Sequence, residues 1–216
     1  LGAGPIDAVP EDAQLAAIGL PLEATAADAA ALAAIVREAL ASRGVVLEAV
    51  RARVVPPAAF NALLDGGLNK SDLLSQATLD LAASLGAGRP GPTVVWCDRH
   101  GGRRRYAGLV TRHFGGSLVR AVEETAARSI YEVPGEGLRV EFCVGGEARA
   151  PVALASMTAK YVREVAMRAF NIHWMERCPG LAATAGYPVD AARWRHEAAV
   201  AVAREGIAWD AIWRRA

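Results

Sequence analysis

Apolar positions recur at helical spacing in five stretches of the chain. The first is TAADAAALAAIVREALASRG (25–44), with Thr25 placed as a cap and Gly44 as a stop. The second is SDLLSQATLDLAASLG (71–86), with Ser71 or Asn69 near its cap. RRRYAGLVTRHF (103–114) sets Tyr106, Leu109, Val110 and Phe114 on an inner face and arginines outside. VALASMTAKYVREVAMRAFNIHWM (152–175) is the strongest helical pattern, and AARWRHEAAVAVARE (191–205) is the last, capped by Asp190 and closed by Gly206. Strand patterns fall between these. VVLEAVRARVV (45–55) alternates and ends at Pro56-Pro57, and TVVWCD (93–98) is a short apolar run of the central-strand kind. SLVRAVEE (117–124) predicts a further strand. Residues 129–146 predict a hairpin turning at Pro134-Gly135-Glu136-Gly137. FNALLDGGLNK (60–70) is expected to be turn-rich, and residues 1 to about 24 an irregular lead-in. Mixed helices and strands give the class α/β. The expected organisation is a lead-in and Ala-rich helix over 1–44, then a domain over 45–216, in a single domain overall.

Composition narrows the class. With 216 residues and 53% hydrophobic content the chain can bury a full core. It has no run of about 20 apolar residues and no signal-peptide pattern, so no membrane partner is expected. Three scattered cysteines without a CxxC fit a reduced, cytoplasmic protein without structural zinc. A net charge of +1 excludes binding driven by bulk positive charge, although a local patch still can act. Lys70 and Lys160 are the only lysines; every other basic residue is Arg. A compact ammonium retained on such a background marks a place where a guanidinium does not fit, or is left by chance.

Candidate chemistry lies in three places. Asp98 ends an apolar strand, Glu147 sits in GGEARAP, and Glu164 lies one turn after Lys160 on the same helix face. Carboxylates of this kind suit a hard divalent cation. Spacing alone favours a solvated strand end and a surface pair. Arg99, Arg103, Arg104, Arg105 and Arg112 cluster around Gly101-Gly102, where backbone amides can approach an anion. A solvated basic face is the competing reading. Tyr187, before Pro188 at a loop end, would stack on a base or pack on the last helix. No HExxH, P-loop, G-x-S-x-G or G-x-G-x-x-G pattern occurs.

The order of these pieces resembles the type 2 ribonucleases H, the ribonuclease HII family. ALASMTAKYVRE (153–164) is similar to the family's Ser-Ile-x-Ala-Lys-x-x-Arg-Asp helix, with Ser156, Lys160, Arg163 and Glu164 in step. VGGEARAP resembles its Lys-Gly-Asp segment, VVWCDRHGG the strand that ends on its third carboxylate, and AGYPVDAARW its Gly-Tyr-Pro segment. LNKSDLLSQATLDLAASL resembles its Asn-Ile-x-x-Ala helix, with Asn69 as the matching residue. The resemblance spans roughly residues 45 to 213. The family's opening Asp-Glu-x-Gly strand has no counterpart in residues 1–44, and Glu stands for Asp at two positions.

The resemblance implies a ribonuclease H-like mixed sheet flanked by helices and missing its first strand. It implies hydrolysis of an RNA–DNA hybrid, or of a duplex at a ribonucleotide, by a monomer using Mg²⁺ or Mn²⁺. Asp98 and Glu147 would bind metal, and Lys160 and Glu164 would orient that site. Tyr187, Arg103, Arg104, Asn69 and Lys70 would contact nucleic acid. The chain is expected to be a truncated form with little cleavage of its own. The alternative is a catalytically inactive ribonuclease H-like module that binds nucleic acid or a protein. A third reading is a nuclease of the same fold acting on structured DNA.

Overall fold

The computed structural model describes residues 18–86, 91–114 and 118–215. The lead-in as far as residue 17 lies outside the described residues. The chain is mixed α/β, with a four-stranded mixed sheet flanked by helices. Its residues fall into two compact units.

The sheet unit comprises residues 51–54 and 62–159. Strands β1 (Thr93–Asp98), β2 (Arg120–Glu124), β3 (Arg128–Val133) and β4 (Leu138–Cys143) lie in the order β1-β4-β3-β2. β1 runs parallel to β4, with Cys97 opposite Phe142 and Asp98 opposite Cys143. β4 pairs antiparallel with β3, and β3 with β2. Alternation explains the core: Leu138, Val140 and Phe142 are buried from one face of β4. They pack with Leu79, Tyr106, Val110 and Tyr131 into one cluster. Tyr106 and Phe142 stack at 3.7 Å between centroids, nearly parallel. The hairpin turns at Pro134–Glu136 and closes on Gly137, whose φ of 60° suits glycine.

The helical unit holds residues 18–50, 55–61 and 160–215 of those described. Its core joins Trp174, Leu181, Trp194, Ala198, Ala201 and Val202. The buried Asn61 side chain donates to the carbonyls of Asp210 (3.1 Å) and Trp213 (2.9 Å). Its Oδ1 accepts from the Arg215 amide. Helix α1 (Ala26–Ala41) starts on a capping box between Thr25 and Asp28 and buries no residue.

Several expectations need correction. Residues 45–55 are not a strand: they run without secondary structure and almost wholly exposed. Alternation makes a strand only where a partner ladder exists, and this segment pairs with no described strand. Arg51 and Arg53 instead reach the adjacent helix, at Ser84 O (3.1 Å) and Asp80 (2.9 Å). The stretch expected to be turn-rich contains most of helix α2 (Pro57–Asp65), with proline at its first position and Phe60 buried. Arg103, Arg104 and Arg105 precede helix α4 (Ala107–His113) and do not belong to it. Helix α3 is Lys70–Gly86, α5 is Ala150–Arg177, α6 is Pro188–Arg204 and α7 is Trp209–Ile212. Asp190 sits in the first turn of α6, and Tyr187 holds the cap position. Among the described residues no helix is long and apolar enough to cross a membrane.

Candidate functional site

At the carboxyl end of the sheet, β1 and β4 finish side by side. β4 runs into Val144-Gly145-Gly146 and a 3-10 turn at Gly146–Ala148. Gly145 takes a φ of 67°, which the left-handed corner requires. The Gly146 amide then donates to Asp98 Oδ1 at 3.1 Å. A Cβ at Gly146 would lie 3.1 Å from Asp98 Cα, so a side chain here would require the turn or the strand end to give by a few tenths of an ångström. Asp98 is exposed, and the residue after Gly146 is Glu147. The turn that carries Glu147 therefore lies against Asp98 at the ends of β1 and β4. Ser156 on α5 donates to Glu147 Oε1. Neither Gly146 nor Ser156 was assigned a role from sequence; the paired glycines were the signal that a close approach was needed.

The amino end of α3 meets the loop after β1. Asn69 Oδ1 accepts from the Asp72 amide at 3.0 Å, so its side chain caps α3. Asp72 forms an ion pair with Arg103. Ser71 donates to the His100 carbonyl at 2.9 Å. Asn69, Lys70, Asp98, Arg103 and Glu147 thus all belong to the sheet unit, on the α3 start, the β1 end and the turn after β4. Arg104 is exposed. Arg99 is committed elsewhere: its guanidinium donates to Thr125 O and Ala126 O and holds the β2–β3 turn. His100 is buried against the Tyr106 and Phe142 rings, with Ser75 Oγ 2.9 Å from Nδ1. Burial brings its pKa down to about 4, opposed by the nearby Asp98. Near neutral pH it is an uncharged core group.

Lys160, Glu164 and Tyr187 belong to the helical unit. Glu164 accepts from Arg163 at 2.8 Å. The same guanidinium donates to Ala185 O and lies 5.1 Å from the Tyr187 ring centre. Tyr187 is 64% exposed. Its loop is tightly built. Asn171 exchanges two 2.9 Å hydrogen bonds with the Thr184 backbone. Asp190 accepts from Thr184 Oγ1 and the Ala185 amide, each at 2.7 Å, and from Arg193. These donors hold the Asp190 carboxyl down at about 2, the Thr184 hydroxyl first among them.

The comparisons with known proteins add no neighbour. No family model, curated protein or solved structure matches this chain.

The donors can be set against the cation that the resemblance implies. Asp98 and Glu147 are hard-oxygen ligands of the type Mg²⁺ and Mn²⁺ take. Among the described residues no cluster of three or more His, Cys, Asp or Glu is arranged to hold a metal ion.

Proposed function

We propose that the chain is a ribonuclease H-type module, with a ribonuclease H-like mixed sheet. It would act on RNA–DNA hybrids or on DNA duplexes that contain ribonucleotides. The observation that carries the reading is the Gly146-to-Asp98 hydrogen bond, which brings the ends of β1 and β4 together across 48 residues of sequence. Asp98 and Glu147 would hold Mg²⁺ or Mn²⁺ there. Bound, such a cation lowers the pKa of a water and stabilises charge on the leaving oxygen.

The chain's own residues have distinct parts to play. Gly146 fixes one Asp98 oxygen by its amide. Ser156 orients Glu147. Asn69 and Asp72 fix the start of α3, and so the placement of Lys70 and Arg103, toward a phosphate backbone. Tyr187, fixed at its backbone by the Asp190 network and flanked by Arg163, offers a free ring face for stacking on a nucleobase.

A second reading, a module that binds nucleic acid or a protein partner without cleaving, is favoured by the absence of a three-ligand cluster among the described residues. Fluorescence anisotropy with a labelled RNA–DNA hybrid and an all-DNA duplex, with and without Mg²⁺, separates the two. Preference for the hybrid and a Mg²⁺-dependent gain in affinity that Asp98→Asn removes would support the nuclease reading. Equal binding of both duplexes, indifferent to Mg²⁺ and to Asp98→Asn, would leave the binding module.

A further inference from the structure

A second feature of the sheet unit lies on its helical side. Between α3 and α4 is a cleft of about 360 Å³, with Asp72 and Gln76 of α3 on one wall. Arg103, Arg105 and Arg112 supply the other. Three arginines and a single carboxylate thus line this space.

That carboxylate is already used. Asp72 pairs with Arg103, and its backbone amide is capped by Asn69. Arg105 stands 3.8 Å from Glu124, at the outer limit of an ion pair, with its side chain 90% exposed. Glu124 itself accepts from the Tyr131 hydroxyl. Arg112 is exposed, and no acidic partner is seen for it among the described residues. Arg112 is therefore left without a close counter-charge, and Arg105 keeps only its long, solvent-exposed pair with Glu124. A cleft wall with more arginines than carboxylates favours an anion beside it. Guanidinium groups match phosphate oxygens through paired N–H donors, and the Gln76 amide adds a neutral donor.

We propose that the α3–α4 cleft is a phosphate-binding site, centred on Arg105 and Arg112. It takes up backbone phosphate of a nucleic-acid strand. The source of the phosphate rests on the function proposed above; the site itself does not. Phosphate groups free in solution and those of a nucleic-acid backbone share the chemistry, so both serve as probes.

The test uses the full chain, the variant Arg105→Gln/Arg112→Gln, and Arg37→Gln on the exposed face of α1 as a control. Hybrid affinity is measured against salt concentration, and the arginine Nε–H signals are followed by NMR during titration with inorganic phosphate. The expected result is a salt dependence whose log–log slope is shallower by about 1 to 2 in the double variant, and unchanged in the control. Inorganic phosphate should shift the Arg105 and Arg112 signals of the parent chain. Phosphate shifts without any hybrid binding would uphold the site and overturn the nucleic acid as its source. Hybrid binding with an unchanged slope, and no phosphate shift, would overturn the site while leaving the proposed function standing. Matching thermal melts of parent and variants show that all are folded.

Discussion

Replacing Gly146 by alanine probes the junction of β1 and β4 directly. The new methyl group would stand 3.1 Å from Asp98 Cα, 3.3 Å from its amide nitrogen and 3.3 Å from Oδ1. Two of those three atoms are backbone, and that backbone is fixed. Asp98 is in register with Cys143, and the next amide, Arg99, donates to the Cys143 carbonyl at 3.0 Å. The turn must retreat, and the Gly146-to-Asp98 hydrogen bond lengthens or breaks. Overpacking of this kind costs about 1–3 kcal/mol. In a chain of this size that lowers the melting temperature by about 2 to 12 °C. Gly102 is the control: nothing lies within 4 Å of a Cβ there, so alanine should stay within about 0.5 kcal/mol of the parent. Urea unfolding, read at the β1 and β4 amides, measures both. If Gly146→Ala is as stable as Gly102→Ala, the turn is not held against Asp98 and the site geometry is wrong.

Two further outcomes follow from the packing and the loop. Leu79 is fully buried in the sheet-unit core, so Leu79→Ala should cost about 2–5 kcal/mol in the same unfolding measurement; a loss under about 1 kcal/mol would contradict that core. Asp190 has its carboxyl lowered from 3.8 to about 2 in the folded chain, first by the Thr184 hydroxyl and then by Arg193. A depressed carboxylate stabilises above its unfolded pKa and loses that contribution as pH falls through its folded one. The stability gap between the parent and Asp190→Asn should therefore be full above about pH 4 and shrink toward about pH 2. A gap that does not change across this range would refute the assignment.

The sheet was legible where burial and alternation coincide. TVVWCD and the 129–146 hairpin give β1, β3 and β4 because each faces a core and has a ladder partner. The same alternation misled at 45–55, where no partner strand is described; pattern reports what a segment would suit, not what lies beside it. The helical pattern over 103–114 is longer than α4, because the arginines suit a helix yet here form an irregular segment that follows a turn at Gly101, whose φ is 58°. Asp98, Glu147 and Tyr187 were legible as exposed chemistry at element ends. The Gly146 contact, the Ser156 hydrogen bond and the Asp190 hub were not, since each depends on partners distant in sequence or on backbone approach. Asn69 was legible as a cap of α3, since an Asn just before a helical pattern suits that position, and its side chain takes that role.

The central claim is that Asp98 and Glu147 form one divalent-cation locus. Mn²⁺ titration of the ¹⁵N-labelled chain tests it with the metal alone, by paramagnetic broadening of backbone amides. The account predicts that the amides of Asp98, Arg99, Gly146 and Glu147 broaden first and together, and that Asp98→Asn abolishes the effect. Broadening that begins elsewhere, or that persists unchanged in Asp98→Asn, would contradict it.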